Sequence, residues 1–171
     1  MDFLTLEKNR YSTRKFSDKD VSEADLDQIL EAGRLAPTAK NLQPFKVYVI
    51  RSQEGLNKVD QITVCRYGAK TVLLIGYYPS KAYLYPETKE RFDSGKEDCA
   101  IVLTHMMLEA TSLGIQSCWL NRFSPLQAKE AFGFEDDFMP VAMLDLGYEA
   151  AHLVSPNHEN KKPKEELFEE K

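Results

Sequence analysis

Seven residues near the start of the chain, Arg10-Tyr11-Ser12-Thr13-Arg14-Lys15-Phe16, place three cations and two aliphatic hydroxyls together. Guanidinium groups bind phosphate oxygens through two parallel hydrogen bonds, and serine hydroxyls both donate and accept. If the segment is extended, Arg10, Ser12 and Arg14 project to the same side, so one cation can address a phosphate while another addresses a second group. A solvated basic loop would have the same composition, since charge clusters are common on surfaces. A second candidate is the stretch Ala36-Pro37-Thr38-Ala39-Lys40-Asn41-Leu42-Gln43-Pro44. Thr38, Asn41 and Gln43 can donate and accept at fixed positions, which a ligand rich in carbonyls and hydroxyls needs. A plain connecting loop would read the same way.

Other chemistries lack their signatures. No GxGxxG and no GxxxxGK[ST] is present, so neither a Rossmann dinucleotide site nor a P-loop is supported. His105, His152 and His158 share no metal-ligand spacing, and His105 falls in a helical apolar pattern where a core or interface histidine is expected. The cysteines are Cys65, Cys99 and Cys118, an odd number without a CxxC pair, which argues against a disulfide framework or zinc cluster. Reduced cytosolic thiols are the simpler reading, with Cys99 and Cys118 as small core residues. Trp119, the sole tryptophan, reads as packing. A formal net charge of -5 argues against nucleic acid as the main partner. The N-terminal residues show no basic region followed by an apolar run, and no stretch approaches the ~20 apolar residues of a membrane span. The expectation is a cytoplasmic protein that binds neither membrane nor nucleic acid.

At 171 residues the chain suits one domain, 1–171. Leu4 to Asn9 reads as a short helix. Ser22-Glu23-Ala24-Asp25 looks like a capping box, followed by Leu26, Ile29, Leu30 and Gly33 at helical spacing. Pro37 stops that helix. Phe45 to Ile50 reads as a strand, Glu54 to Cys65 as a helix, and Thr71 to Tyr78 as an apolar strand. Pro79 to Gly95 reads as a surface loop. Lys96 to Leu113 is the longest helix candidate, apolar over more than one face and therefore expected to be buried, with Gly114 closing it. Ile115 to Leu120 is a short strand. Ser124-Pro125 starts a helix that Gly133 ends. Val141 to Leu146 is the last strand. The interleaving indicates α/β or α+β, and spacing alone does not choose between parallel and antiparallel wiring. In the polar tail from Ala150, Leu167 and Phe168 need a surface to pack against, such as a second subunit.

Three patches in order resemble the FMN-dependent nitroreductase family. They are Arg10-x-Ser12-x-Arg14-x-Phe16; Ala36-Pro37-Thr38-Ala39-x-Asn41-x-Gln43-Pro44-Phe45; and His105 through Leu113-Gly114-Ile115-Gln116-Ser117-Cys118-Trp119, similar to that family's central helix and its Leu-Gly-x-x-x-Cys-Trp ending. Gly147-Tyr148 and the tail Lys161-Lys162-Pro163-x-Glu165-Glu166-Leu167 also fit. The resemblance implies an α+β fold, with a central antiparallel sheet flanked by helices, assembled as an intertwined homodimer. It implies FMN at the subunit interface, the tail packing on the partner, and NADH or NADPH donating hydride to flavin N5 for ping-pong transfer to a nitroaromatic, quinone or similar small-molecule acceptor. No catalytic side chain is then required, since the cofactor carries the chemistry. A non-catalytic FMN storage or sensing protein is the alternative.

By the same resemblance, Arg10 and Ser12 hold the phosphate with help from Lys161, and Arg14 lies near the N1 and O2 edge of the flavin ring. Pro37, Thr38 and Asn41 line the ring and ribityl chain, the 37–39 stretch coming from the partner. The backbone at Leu120 and Asn121 faces N5. Tyr11 and Ala39 belong to the same two cofactor-binding loops. The sequence departs from the family pattern in three ways. Lys161 stands where arginine is common, Leu120-Asn121-Arg122 replaces a segment that often carries glycine, and nothing around Cys65 and Arg66 matches the Asn and Lys that grip the ring in some members. The chain is also short, so the helices that cover substrate are expected to be reduced.

Overall fold

The computed structural model describes residues 2–86 and 92–171. Its strands are β1 (Phe45–Ile50), β2 (Thr71–Tyr77), β3 (Gln116–Leu120) and β4 (Met139–Gly147), in one sheet of order β1-β2-β4-β3. All three neighbouring pairs are antiparallel. The helices are α1 (Phe3–Asn9), α2 (Glu23–Leu35), α3 (Gln53–Ile62), α4 (Gly95–Ser112), α5 (Pro125–Phe132) and α6 (Lys164–Leu167). This is the α+β arrangement of a central antiparallel sheet with flanking helices. The consecutive pairs β1/β2 and β3/β4 are each joined through a helix, α3 or α5, yet run antiparallel, which is why wiring could not be read from spacing.

The sheet is buried on both faces because its central strands are apolar at nearly every position. All seven residues of β2 are buried. Since successive strand side chains point to opposite faces, Leu73 and Ile75 pack with Leu144, Leu146 and the α2 and α4 residues Ile29, Val102, Leu103 and Met106. Val72 and Leu74 pack on the other face with Met143, Phe138 and residues of α3 and α5, including Leu56, Val59 and Ala128.

Local chemistry explains the boundaries. Ser22, Ser52 and Ser124 cap α2, α3 and α5 by accepting the backbone N–H groups of Asp25, Gly55 and Gln127. Gly133 ends α5 in the left-handed conformation. Helix α3 stops at Ile62 rather than Cys65, and the chain turns through Tyr67 and Gly68, both at positive φ. Strand β4 begins at Met139, before Pro140, where the register with β2 slips between Ile75 and Gly76. A proline's missing N–H is tolerated at such a bulge. Of the 79–95 segment expected as loop, Pro79–Lys81 forms a 3₁₀ turn and Leu84 bridges Asp93, while 87–91 lie outside the described residues.

Helix α4 buries one stripe: Gly95, Asp98, Cys99, Val102, Leu103, Met106 and Ala110. Its second flank stays open in the chain. His105 is exposed, with Nδ1 2.9 Å from the Ile101 carbonyl, so of the core or interface position expected from the apolar pattern the core one does not hold. That pattern counted apolar neighbours without knowing which flank the sheet would cover. Helix α1 lies against α4 and buries none of its own residues, leaving Phe3 and Leu4 exposed. No helix among the described residues is long and apolar enough to cross a membrane.

Gly95, the first residue of α4, is there for space: a Cβ would fall inside the buried ring of Tyr77. Glycine to alanine at an unstrained helical position usually stabilises by ~0.4–1 kcal/mol, whereas overpacking a full core costs about 1–3 kcal/mol. Gly95→Ala is therefore expected to lower the urea midpoint. An unchanged or raised midpoint would show that Tyr77 can move aside.

Candidate functional site

The basic segment is held as an additional edge of the sheet. Ser12 bridges Ser117 of β3 in parallel, and the Thr13 N–H donates to the Ser117 carbonyl at 2.9 Å. Beyond it, Phe16 N–H donates to Tyr67 O at 3.1 Å, Ser17 N–H to Tyr148 O at 2.7 Å, and Ala150 N–H to Lys15 O at 3.0 Å. Thr13 and Phe16 are buried, so the chain is fixed by side chains as well. The Tyr11 hydroxyl donates to the Glu149 carboxylate and lies 3.2 Å from His152 Nδ1. Burial, and then this bond to an anion, push the Tyr11 phenol up to about 12.

With the backbone so fixed, Arg10, Tyr11, Ser12, Arg14 and Lys161 line one cleft of about 260 Å³, joined by Ser155, Asn157 and His158. Among the described residues no carboxylate lines it. Lys161 reaches the cleft because the tail folds back: Ser155 caps a 3₁₀ turn over Pro156–His158, and His158 Nε2 sits 3.3 Å from the Lys8 carbonyl. Ser155, Asn157 and His158 were not singled out from the sequence as site residues. The available signal was their position within six residues of Lys161, together with the turn-forming Ser155-Pro156-Asn157.

The second loop is elsewhere. It leads into β1, the far edge of the sheet, four strand spacings or roughly 19 Å from the Ser12 segment. The structure therefore does not bring Pro37, Thr38, Ala39 and Asn41 together with Arg10–Arg14 within one chain. The loop is strained and tied down. Lys40, Asn41 and Gln43 have positive φ, a conformation rare for residues other than glycine. Thr38 Oγ1 accepts from Gln43 N–H at 3.1 Å, Asn41 Oδ1 from Gln43 Nε2 at 3.0 Å, and buried Asp98 of α4 from Ala39 N–H at 2.8 Å. Backbone strain of this kind concentrates at ligand-binding loops. Leu120 ends β3 with its side chain in the core, and Asn121 is exposed, accepting the Trp119 indole N–H and donating to the Val141 carbonyl at 3.1 Å.

A buried acid lies between these regions. Asp145 of β4 stands opposite Cys118 and Val72 on the neighbouring strands, is fully buried, and has no hydrogen-bond partner for either oxygen among the described residues. Arg66, near enough to favour its charge, is already committed to Asp60 at 2.6 and 2.7 Å and to the Ala69 carbonyl at 2.7 Å. Burial pushes the Asp145 carboxyl up to about 9 against that pull. The same burial, with Asp145 beside it, pushes the Cys118 thiol up to about 11, as suits a core residue. Cys65, hydrogen-bonded by Tyr67, is held below the ordinary thiol value. All three cysteines are free and buried. Asp145 was legible as a lone acid in the apolar run Val141–Leu146, but its isolation was not.

Fold and cleft together define a small α+β protein with an anion-receptive pocket at one sheet edge. The model of the Nitroreductase family matches residues 8–67 and 64–148, and the chain belongs to that family. A solved nitroreductase family protein from Clostridium difficile 630 superposes with a TM-score of 0.93 at 33% identity, covering 99% of this chain and 98% of that one. An Archaeoglobus fulgidus protein named "Putative NADH dehydrogenase/NAD(P)H nitroreductase" is 31% identical over 81% of this chain and 80% of its own length. An Exiguobacterium sibiricum protein crystallised in complex with FMN shares the fold at a TM-score of 0.85 and 22% identity, covering 100% and 98% of the two chains.

The raised Asp145 carboxyl has a consequence for stability. An unfolded aspartate ionises near 3.9, so between pH ~4 and ~9 the folded chain holds a proton that the unfolded chain has lost. Stability contributed by this group falls as pH rises through that window, by about 3 kcal/mol from pH 5 to pH 7. Asp145→Asn cannot ionise, and its unfolding free energy in urea is expected to be flatter in pH by that amount. Parallel profiles for the two proteins would mean that Asp145 is ionised in the fold.

Proposed function

We propose that this chain is an FMN-dependent oxidoreductase that moves hydride equivalents from NADH or NADPH to a nitroaromatic, quinone or similar small acceptor, working as a homodimer in the cytoplasm. The observation that carries the reading is the cleft lined by Arg10, Ser12, Arg14 and Lys161, with no carboxylate among the described residues that line it. Such a lining suits a phosphate monoester, because each of these side chains donates and none repels the dianion. Family membership, the FMN complex of the Exiguobacterium neighbour and the NAD(P)H in the Archaeoglobus relative's name support the cofactor and the donor.

FMN, when bound, supplies the redox chemistry by taking hydride at N5 and giving it up again. The residues of the chain do the rest. Arg10, Ser12 and Lys161 bind the phosphate, and Arg14, two residues further along the same edge, reaches the N1 and O2 side of the ring. Leu120 and Asn121 offer backbone toward N5. Pro37, Thr38, Ala39 and Asn41 of the partner subunit close the site, since within one chain they stand at the opposite sheet edge. Exposed Phe3, Leu4, Ile101, Leu167 and Phe168 give a second copy an apolar surface to cover.

The test is an anaerobic titration of the purified protein, expected to carry one FMN per subunit in a dimer by light scattering. NADH or NADPH should bleach the flavin bands, and a quinone or nitroaromatic should restore them. Flavin that binds but never bleaches would indicate storage or sensing, and a monomer with full FMN occupancy would remove the shared site.

Two substitutions separate binding from redox tuning. Arg10→Ala is expected to weaken FMN about 10- to 100-fold, the worth of one charge-assisted contact, and to leave riboflavin binding unchanged. Equal loss for both ligands would place Arg10 away from the phosphate. Arg14→Gln should keep most FMN affinity but lower the midpoint potential by tens of millivolts, because a fixed guanidinium favours the reduced, anionic flavin and ~1.4 kcal/mol corresponds to about 30 mV. An unchanged potential would rule out the ring-edge role.

A further inference from the structure

The cleft has one wall whose charge is not permanent. We propose that His158 is an additional phosphate-binding residue that acts as an imidazolium, so that FMN binding draws a proton from solution. This rests on the FMN reading above.

The argument starts from the ring's two nitrogens. The Ser155-capped turn fixes the backbone, with His158 N–H donating to the Ser155 carbonyl at 2.8 Å. Nε2 is 3.3 Å from the carbonyl of Lys8, in the last turn of α1, where carbonyls have no partner within the helix. A carbonyl only accepts, so Nε2 carries a hydrogen. In the neutral ring Nδ1 is then a bare lone pair, which repels a phosphate oxygen; only the imidazolium donates from both nitrogens. The ring is half-buried, edge-on to Tyr11 with centroids 6.3 Å apart, and it lines the cleft beside Arg10 and Lys161.

The surrounding charges come from three segments. Glu7 and Lys8 of α1, Arg10 of the edge segment, and Glu159 and Lys161 of the tail line an adjoining 540 Å³ pocket with His158, and Arg14 completes the cleft itself. Tyr11 separates the ring from Glu149 and His152. Glu7 and Glu159 stand on the adjoining-pocket side and Glu149 lies behind Tyr11; among the described residues no carboxylate lines the cleft itself, so there an arriving phosphate is the anion that a cationic His158 would meet. Imidazole is the side chain type that changes charge between pH 5 and 8.

The test compares FMN and riboflavin dissociation constants for the wild type, His158→Gln and His158→Arg from pH 5.5 to 8.5. The phosphate titrates near pH 6 itself, so the quantity read is the ratio of variant to wild type at each pH. His158→Gln is expected to bind FMN about 10-fold more weakly at pH 5.5 and nearly equally at pH 8.5. His158→Arg should bind as tightly as the wild type at pH 5.5 and more tightly than it at pH 8.5. Riboflavin should not distinguish the three. Calorimetry at pH 7 in two buffers of different ionisation heat should count more protons taken up by wild type than by His158→Gln. A pH-independent ratio, or equal proton uptake, with FMN still preferred over riboflavin would overturn the proposal and leave the cofactor reading intact. A wild type that never prefers FMN to riboflavin would overturn both.

Discussion

The site depends on one short run of backbone pairing. Residues 12 to 17 are clasped between β3 on one side and the chain that leaves β4 on the other, through Thr13 to Ser117, Ser17 to Tyr148 and Ala150 to Lys15. Without these bonds Arg10, Ser12 and Arg14 would be cations on a flexible loop, and the entropy of ordering each long side chain would oppose any ligand. With them, the alternation of an extended segment turns Thr13 inward and the three donors outward. The Tyr11–Glu149 bond ties the same segment to the start of the tail, and the tail then brings Lys161 to the cleft.

That clasp is possible only because β3 and β4 are neighbours in a sheet whose core is apolar on both faces. The helices cover the faces and leave the β3 edge open to accept another strand. Asp145 is the exception within this core. It sits on β4 between Cys118 and Val72, close to the clasp, with no hydrogen-bond partner among the described residues. A buried carboxyl in this state stays protonated because ionising it without a partner costs more than giving up the free acid's ordinary equilibrium.

The Pro37–Pro44 loop follows the opposite logic. It lies at the β1 edge, holds residues at positive φ, and satisfies its own polar groups through Thr38, Asn41, Gln43 and Asp98. Its conformation is held by hydrogen bonds within the loop and to α4. The two loops thus present prearranged polar groups at opposite edges of one sheet.

The sequence by itself determined the elements that depend on near neighbours. Ser22, Ser124 and Gly133 mark helix ends because capping is a contact within four residues. The apolar run of β2 is legible because a strand buried on both faces is apolar at every position, whereas α4, read as apolar over more than one face, buries a single stripe. The family was legible because the basic segment, the Pro37 loop and the Gly114–Trp119 stretch follow in order. Only the tertiary structure decided what depends on residues distant in the chain. It set the strand order β1-β2-β4-β3, left His105 exposed on a flank of α4 that the sheet does not cover, and left Asp145 without a hydrogen-bond partner among the described residues. It also seated His158 against the carbonyl of Lys8, 150 residues away. Spacing along a chain carries local periodicity and capping, whereas desolvation and the choice of hydrogen-bond partner are properties of the packed state.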